Sequence, residues 1–306
     1  MTIDVVGLGV AALDDILYLG RDPILGDKTR VVSRERHVGG LTAYALMAAS
    51  RLGASCVFAG RLGTGQDSAA VVAALNAAGI STDRAARIDG AGPVLSTIVI
   101  APDGTRTIFF DDSRTAGPPD EVDLELVSSA AVVVVDGHGV PGAIRAARHA
   151  RGLGIPIVGD CESVQHERLP ELLDLVDHLI LPESFAIEVS GAGDAAAAVA
   201  ALWRSDRQLV AVTMGERGCV YRTRHTVGVE TMPAFLVDAI DTSGCGDIFH
   251  GAYAAALASH AEPSQALRFA SAATALSAAS RGGPERLPTR SRVDALAGPL
   301  AMEVHP

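Results

Sequence analysis

Cysteine is scarce in this chain of 306 residues, and the cysteines that are present stand far apart. The four of them, Cys56, Cys161, Cys219 and Cys245, form no CxxC pair and have no histidine at the spacing of a zinc site. The pattern argues against a structural zinc site and against a disulfide framework. It favours a protein that works in a reducing cytoplasm.

Positive charge and long apolar runs are also lacking. The formal net charge is −11 at pH 7, and Lys and Arg form no run, which argues against a nucleic-acid surface. The longest apolar stretches, Ala130–Val135 and Ala195–Trp203, are much shorter than the roughly 20 residues of a membrane-spanning helix. We therefore expect neither a nucleic-acid partner nor a membrane partner.

Two widespread nucleotide-binding motifs are missing as well. The chain contains neither a P-loop of the GxxxxGKS or GxxxxGKT type nor a protein-kinase catalytic loop. Any nucleotide site must therefore be built from other groups.

Short apolar runs of strand length alternate with helical patterns along the chain. This alternation predicts an α/β fold, a parallel sheet covered by helices on both faces, within a single domain over residues 1–306. The strand-like runs are Asp4–Leu8, Cys56–Ala59, Val132–Val135, Ile155–Val158, His178–Leu181 and Leu209–Val212, and the helical patterns include Ala43–Leu52, Ser68–Ala78 and Gly142–Leu153.

Two regions break the alternation and are typical of antiparallel hairpins. One pairs Leu13–Leu19 with Arg30–Val38, and the other pairs Val94–Ile100 with Thr105–Phe110. Inserted around residues 13–38 and 94–112, these strands could form a small sheet over the carboxyl-terminal edge of the main sheet. Because ligands of open α/β sheets bind at that edge, the small sheet would act as a lid.

The segment from Asp241 to Asp247, D-T-S-G-C-G-D, carries the most informative chemistry. Small residues let backbone N–H groups approach an anion, and the Ala-rich run that follows should be a helix whose N-terminus favours a phosphate. Asp247 is then placed to take a proton from an attacking hydroxyl. An ordinary loop with an Asx turn and capping residues would have the same spacing.

D-T-S-G-C-G-D-I-F resembles the signature D-T-x-G-A-G-D-x-F of the ribokinase-like (PfkB) carbohydrate kinases. The resemblance implies a three-layer α/β/α sandwich with a small β-sheet lid, and an ATP-dependent transfer of the γ-phosphoryl group to a hydroxyl of a sugar or sugar derivative. It makes Asp247 the catalytic base, Gly244, Cys245 and Gly246 the anion hole, and Thr242 part of the nucleotide loop. A second copy of the core, from Gly191 to Asp194, lacks the preceding Asp-Thr and is interpreted as a loop that opens an Ala-rich helix.

The same resemblance implies the substrate side of the site. Asp14, five residues after Gly9, corresponds to an aspartate that binds sugar hydroxyls, although a solvated turn carboxylate is the alternative. Gly39 and Gly40 open a helix and match the first family signature. Tyr44 replaces the usual hydroxyl-binding Asn, and it is either a substrate contact or a core aromatic.

Over the whole chain, the resemblance is nearest to the branch that contains sulfofructose kinase. Lys28 matches a lysine that meets the anionic end of the substrate in that branch, or it is simply solvated. The other two sulfonate contacts, an Arg and an Asn, correspond here to His138 and Phe110. His138 follows a buried-looking strand, where it either touches substrate or caps the next helix.

The nucleotide side is expected in Thr213, Gly215 and Gly218, which resemble the family's V-T-x-G-x-x-G loop, although a hairpin turn would look similar. The family's N-x-x-E motif is altered, with Pro182 and Phe185 in its place. Glu183 is the remaining candidate to order Mg²⁺ through water, since Mg²⁺ prefers oxygen ligands. Carbonyl groups of the turn at residues 280–284 and of the loop before the signature could also hold K⁺.

Two other functions stay open at this point. One is a binding or regulatory protein that keeps the fold without efficient chemistry, as Tyr44 and the altered metal motif would allow. The other is a nucleoside kinase, for which Phe109, Phe110 and Tyr44 could form a slot for the base. The apolar lid strands also predict a homodimer.

Overall fold

The apolar runs of the sequence form the central sheet of the molecule. The computed structural model describes residues 3–163, 166–280, 282–298 and 300. Its strands are β1 (Ile3–Leu8), β2 (Ala12–Leu19), β3 (Val31–Gly39), β4 (Cys56–Phe58), β5 (Arg61–Leu62), β6 (Ile80–Ser81), β7 (Ala86–Arg87), β8 (Val94–Ile100), β9 (Arg106–Asp111), β10 (Ala130–Asp136), β11 (Ile157–Asp160), β12 (His178–Pro182), β13 (Leu209–Thr213), β14 (Cys219–Thr223) and β15 (Glu230–Met232).

Nine strands pair in the order β15-β14-β13-β12-β11-β10-β1-β4-β6. All neighbours from β13 to β6 are parallel, whereas β14 and β15 add an antiparallel edge. The parallel strands are buried on both faces, which explains why they are continuous Val- and Leu-rich runs rather than alternating patterns. Their carboxyl ends lie along one edge of the sheet, and this edge carries the candidate site.

Helices cover both faces of this sheet. They are α1 (Leu41–Arg51), α2 (Gln66–Ala77), α3 (Leu124–Ser128), α4 (Val140–Gly152), α5 (Leu169–Leu175), α6 (Glu183–Ser190), α7 (Ala195–Leu202), α8 (Cys245–Ala258), α9 (Pro263–Ala278) and α10 (Arg290–Ala297). Residues of α1, α2, α8, α9 and α10 build the apolar core on one face, and residues of α3 to α7 build the core on the other. The result is the three-layer α/β/α sandwich that the sequence predicts.

The two predicted hairpins form a separate four-stranded sheet, called here the small sheet, in the order β3-β2-β8-β9. β2 pairs antiparallel with β3 and parallel with β8, and β8 pairs antiparallel with β9. Side chains alternate between the two faces of a strand. Asp14, Ser96 and Phe110 therefore share one face, because Asp14 lies opposite Ser96 and Ser96 opposite Phe110.

Helices α1 and α8 approach each other closely near the sheet edge. A Cβ atom on Gly251 of α8 would lie 2.0 Å from the carbonyl oxygen of Ala45 of α1, so only glycine permits this contact. The close packing brings the N-terminal turns of the two helices together. Those turns contain the two glycine motifs of the sequence.

Within the described residues, no single helix is long and apolar enough to cross a membrane. Helices α6 and α7 meet that requirement only when joined, and they are bent by 53° at their junction.

Candidate active site

A cavity of about 430 Å³ opens between the small sheet and the carboxyl ends of the central strands. One wall comes from the small sheet, with Asp14, Ser96 and Phe110 among its residues. The opposite wall comes from the loop before α8 and its first turn. Of the predicted site residues, the cavity brings together Asp14, Gly39, Gly40, Tyr44, His138, Thr242, Gly244, Cys245, Gly246 and Asp247.

The first turn of α8 has the geometry of an anion nest, a name used here for residues 244–246. Gly244 caps the helix in the left-handed region, with φ 65°, and its carbonyl accepts a hydrogen bond of 2.9 Å from the Ile248 N–H. A Cβ on Gly244 would lie 2.6 Å from Cε1 of Tyr44, so the tyrosine ring packs directly on this residue. The backbone N–H groups of a first helical turn have no carbonyl four residues earlier in the helix and can bind an anion, although the Cys245 N–H here also donates to the Thr242 carbonyl at 3.3 Å.

Asp247 occupies the same turn and faces the cavity. Its carboxylate makes no hydrogen bond within the described part of the chain, which leaves both oxygens available to a ligand. Burial raises the pKa of Asp247 well above its ordinary value, and the neighbouring carboxylates of Asp160, Glu162, Asp14 and Asp136 raise it further. Its geometry and its basicity are those of a group that accepts a proton from a hydroxyl.

The second copy of the signature core, Gly191-Ala192-Gly193-Asp194, has a different geometry, as the sequence predicts. Gly191 ends α6 in the left-handed conformation, and Asp194 is the N-cap of α7, where its carboxylate accepts a 2.8 Å hydrogen bond from the Ala197 N–H. The carboxylate of Asp194 therefore caps its helix. Asp247 lies inside its helix rather than at the cap, so its carboxylate has no capping role.

On the substrate side, Gly39 makes room for Asp14, because a Cβ on Gly39 would lie 2.1 Å from Oδ2 of Asp14. Gly40 has φ 90° at the start of α1, and a Cβ there would lie 2.5 Å from the backbone nitrogen of Ala12. Burial raises the pKa of Asp14, while a hydrogen bond from Ser96 and the charge of His37 act in the opposite direction. Asp14 therefore presents a half-buried acceptor directly to the cavity.

Asp136, which the sequence analysis did not select, organises this side of the site. Its fully buried carboxylate accepts hydrogen bonds from the Val10 N–H (2.7 Å), the Thr42 hydroxyl (2.7 Å) and the His138 N–H (2.8 Å). It thereby joins the loop after β1, the start of α1 and the loop after β10. The only sequence signal for it is a carboxylate at the end of a buried Val-rich strand.

His138 lies beside Asp136 and lines the cavity. Its Nδ1 is 3.4 Å from Oδ1 of Asp136. Burial lowers the pKa of His138, but the hydrogen bond and the charge of Asp136 outweigh burial, so that the pKa is raised overall. A histidine that is readily protonated here can donate to a substrate oxygen.

Beneath the nest, a second buried carboxyl group lies against an imidazole. Oδ1 of Asp160, at the end of β11, is 3.2 Å from Nδ1 of His250 on α8, and Nε2 of His250 is 3.0 Å from the Ile180 carbonyl oxygen. Burial raises the pKa of Asp160 well above its usual range and lowers that of His250. The pair lies directly below the first turn of α8, where Nδ1 of His250 also lies 2.9 Å from the Gly246 carbonyl oxygen.

The loop before the nest is held by two arginines that the sequence analysis also missed. Arg286, in the turn Pro284–Arg286, pairs with Asp241 at 3.0 Å and donates to the Ser243 carbonyl. Arg106, at the start of β9, donates to the Ser243 hydroxyl at 2.8 Å and so connects the small sheet to the loop. Burial would raise the pKa of Asp241, but the Ser243 N–H and Arg286 lower it overall, so Asp241 stays ionised.

Of the expected nucleotide residues, Thr242 lines the cavity, whereas Thr213, Gly215 and Gly218 lie outside its lining, beside the next strands of the sheet. Thr213 ends β13, and Gly215 and Gly218 flank a short turn in the left-handed region, with φ 60° and 83°. A Cβ on Gly218 would lie 2.1 Å from the Met232 carbonyl oxygen, so this glycine has a packing role. Glu183, at the start of α6, forms an ion pair with Arg217 of the same turn. The structure thus places Glu183 next to the glycine turn.

Two further predicted site residues, Lys28 and Cys245, differ from each other in their surroundings. Lys28 is exposed on the turn between β2 and β3, where its N–H donates to Asp27, and it does not line the cavity. Cys245 lies in the nest, but burial raises the pKa of its thiol more than the charge of Arg286 lowers it. The thiol is therefore neutral and acts as a small packing group.

Within the part of the chain that the structure describes, no group of three or more His, Cys, Asp or Glu side chains has the arrangement of a metal site.

Comparisons with known proteins agree with this geometry. A model of the pfkB family carbohydrate kinases matches residues 6–290. The chain is 29% identical over 287 residues to probable fructokinase-4 of Arabidopsis thaliana, covering 84% of this chain and 86% of that protein. It is 28% identical over 286 residues to a fructokinase of Solanum tuberosum, with coverages of 83% and 84%.

Solved structures show the same fold. A putative ribokinase from Agrobacterium tumefaciens superposes with a TM-score of 0.87 at 27% identity, over 96% of each chain. The ribokinase of Arabidopsis thaliana, complexed with ribose and ATP, superposes with a TM-score of 0.83 at 22% identity, over 97% of this chain and 99% of that one. The family match spans nearly all of the chain and includes the whole Asp241–Asp247 signature. This protein belongs to the pfkB family of carbohydrate kinases.

Proposed function

We propose that the protein transfers the γ-phosphoryl group of ATP to a hydroxyl of an uncharged sugar, with fructose as the first candidate. The observation that carries the proposal is the position of Asp247. It lies in the same helical turn as the anion nest, its carboxylate has no hydrogen-bond partner in the part of the chain that the structure describes, and it shares one cavity with Asp14. The fructokinase relatives support the choice of fructose.

In the proposed reaction, Asp14 accepts hydrogen bonds from sugar hydroxyls and fixes the ring in the cavity. The reacting hydroxyl gives its proton to Asp247 while its oxygen forms a bond to the γ-phosphorus, and the bond from phosphorus to the ADP oxygen breaks. The N–H groups of residues 244–246 donate to the phosphoryl oxygens as charge develops there.

The nucleotide base has an apolar surface available next to the glycine turn. Gly218 packs against residues 232–234, and further along the same segment the N–H of Ile240 donates to the Ala278 carbonyl at 2.8 Å. The segment therefore runs from the glycine turn to the loop before the nest. Leu236, which is 94% exposed, and Ile240 present apolar side chains along it, which suits a purine ring.

Glu183 is the residue that we propose to hold Mg²⁺ through water. A carboxylate is the type of donor that this ion prefers, and Glu183 stands beside the proposed nucleotide turn. The bound ion would neutralise charge on the triphosphate. Replacement of Glu183 by Gln should raise the Mg²⁺ concentration needed for half-maximal rate.

Recognition of an anionic sugar has little support in the cavity. Lys28 lies outside it, and the positions that would complete a sulfonate site carry His138 and Phe110. The carboxylates of Asp14, Asp112 and Glu162 line the same cavity and would repel an anionic sugar, whereas Arg106 and Arg286, which also line it, are held at Ser243 of the nest loop. An uncharged polyol avoids this repulsion.

The two alternative functions are less favoured. A nucleoside would need an aromatic slot, and although Tyr44 and Phe110 line the cavity, Phe109 does not, and the Tyr44 ring is packed on Gly244. A non-catalytic protein would not need the complete nest and the unengaged base.

We further propose that the small sheet is a lid, that two copies pair through it, and that the protein works in the cytoplasm. The lid role rests on its position over the cavity and on the contact between Arg106 and Ser243. Pairing rests on the exposed apolar side chains of β3 and β9. The location rests on four free cysteines, which a reducing compartment preserves.

The test is ADP release with ATP and Mg²⁺ across fructose, ribose, a sulfo-sugar and inosine, in KCl and in NaCl, with Asp247→Asn as control. Turnover of fructose or ribose that disappears in the variant supports the proposal. Turnover of inosine or of the sulfo-sugar alone contradicts the substrate class. A folded protein that binds ATP and turns over none of these compounds contradicts the proposed function.

A further inference from the structure

Arg286 is a fully buried cation beside the anion nest. Its side chain is 2% exposed, and it lines the floor of the cavity. Each nitrogen of its guanidinium has a partner: Nη1 pairs with Asp241 at 3.0 Å, Nη2 donates to the Ser243 carbonyl, and Nε donates to the Ser277 hydroxyl at 2.9 Å. Nη2 also lies 3.8 Å from the sulfur of Cys245, inside the nest.

These contacts determine the shape of the loop. Asp241 accepts from the Ser243 N–H at 2.8 Å, so one carboxylate and one guanidinium bracket both sides of the Ser243 peptide. Ser243 directly precedes Gly244, which must adopt the left-handed conformation for the nest to form. Ser277 belongs to α9, so Arg286 anchors the loop to the neighbouring helix.

The positive charge of the Arg286 guanidinium lies at this same loop before the nest. A buried charge is costly unless it is paired and hydrogen-bonded, and Arg286 is held by one carboxylate and two neutral acceptors. The N–H groups of the nest carry only partial positive charge, whereas Arg286 carries a full charge that does not diffuse away and that the paired Asp241 carboxylate offsets in part. A phosphoryl group that enters the nest would interact with both the N–H groups and the guanidinium.

We propose that Arg286 is the built-in cation of the anion nest, a positioning residue that fixes the loop and supplies permanent positive charge to the transferred phosphoryl group. This inference rests on the proposed phosphoryl transfer. It has a consequence for ion dependence. A monovalent cation at this place would need carbonyl and carboxylate oxygens as ligands, and Arg286 already engages those of Ser243 and Asp241. Turnover should therefore be independent of K⁺.

The test separates charge from packing with Arg286→Lys, Arg286→Gln and Arg286→Ala. Arg207 provides the matched control, because it is also buried and also donates to two backbone carbonyls, those of Leu202 and Leu173, but lies away from the cavity. For Arg286→Ala we expect kcat to fall about 10- to 100-fold, less than for a direct oxyanion donor because Arg286 acts through the loop. Guanidinium ion at millimolar concentration should restore part of that loss.

The rates that we expect for the wild type and the Arg286 variants depend on the positive charge of Arg286 and not on packing alone. Wild-type rates in KCl, NaCl and CsCl at equal ionic strength should agree within about two-fold, and Arg286→Lys should retain more activity than Arg286→Gln. Arg207→Ala should lower the melting temperature without lowering kcat and without response to guanidinium. A wild-type enzyme that requires K⁺, or equal activities of folded Arg286→Lys and Arg286→Gln, would overturn the inference.

Failure of the proposed function would be visible separately. If the wild-type protein phosphorylates no sugar, the same variants are compared by the rise in melting temperature on adding MgADP. Arg286→Ala should then show a smaller rise that guanidinium restores, while Arg207→Ala keeps the wild-type rise. Equal rises in Arg286→Ala and the wild type would overturn the inference by this second route.

Discussion

At the scale of single residues, the two Gly-x-Gly-Asp segments show how one sequence pattern can have two chemical outcomes. Asp194 is an N-cap whose carboxylate accepts a hydrogen bond from the Ala197 N–H, whereas Asp247 is the third residue of its helix and its carboxylate has no hydrogen-bond partner among the described residues. The difference lies in where the helix begins relative to the aspartate. It therefore depends on the preceding Asp-Thr loop, which positions Gly244 as the cap.

This contrast gives a matched pair of variants. Asp247→Asn should lower kcat by about 10²- to 10⁴-fold with little change in melting temperature, because the amide cannot accept the proton. Asp194→Asn keeps a capping oxygen and should leave both kcat and stability nearly unchanged. Steady-state kinetics and thermal melts of the two variants provide the measurement. Comparable rates for Asp247→Asn and the wild type would remove Asp247 from the role of base.

The pH dependence of kcat/KM should report the raised pKa of Asp247. Only the carboxylate accepts a proton, so activity rises as pH rises through this pKa, and the acidic limb should lie well above the ordinary aspartate value of 3.8. The carboxylates that raise this pKa are those of Asp160, Glu162, Asp14 and Asp136, and Tyr44 and Cys245 also interact electrostatically with Asp247. Glu162→Gln removes one negative charge and should move the limb to lower pH. An unmoved limb would show that Glu162 does not act on the base.

Gly244 gives a test of the contact with Tyr44. Gly244→Ala should abolish most activity, since its Cβ would collide with the tyrosine ring and its φ of 65° strains any other residue. The double variant Gly244→Ala with Tyr44→Ala removes the collision but keeps the strain, so it should recover only part of the rate. Gly246→Ala, where a Cβ meets no atom within 4 Å, is the control and should be tolerated better.

At the scale of elements, the prediction from sequence succeeded where periodicity is local. The buried strands are continuous apolar runs, and the strands of the small sheet mix polar and apolar residues, so both types were visible in the sequence. The contacts that hold the loops were not visible in the sequence. Arg106 and Ser243 are separated by 137 positions, and Asp136 and Val10 by 126, so no local pattern connects them. Arg286 likewise lies 43 positions from Ser243.

The contact between the small sheet and the nest loop predicts a role for Arg106 in closure. Arg106→Ala removes the hydrogen bond to Ser243 and should raise KM for the sugar by about five-fold, the effect of about 1 kcal/mol, with a smaller change in kcat. Arg30→Ala, in the exposed loop before β3, is the control on the same sheet and should leave KM unchanged. If both variants behave alike, the contact does not hold the sheet closed.

At the scale of the whole molecule, the small sheet presents a second face to solvent. Ile108 and Phe110 line the cavity, and because side chains alternate along a strand, Phe109 between them points to the opposite face. Phe109 is 61% exposed on an edge strand whose outer side has no pairing strand within the described residues. Exposed apolar edges of this kind favour association. The proposed homodimer would bury them.

A charged side chain at position 109 should therefore separate the subunits of the proposed homodimer. Phe109→Asp places a carboxylate in the proposed interface and should convert a dimer into a monomer, because burial of an unpaired charge is strongly unfavourable. Val227→Asp changes an equally apolar and fully exposed residue in the loop between β14 and β15, and it should leave the assembly intact. Sedimentation velocity of the wild type and both variants gives the answer. A wild-type monomer, or a dimer that survives Phe109→Asp, would mean that the small sheet closes each active site without help from a second copy.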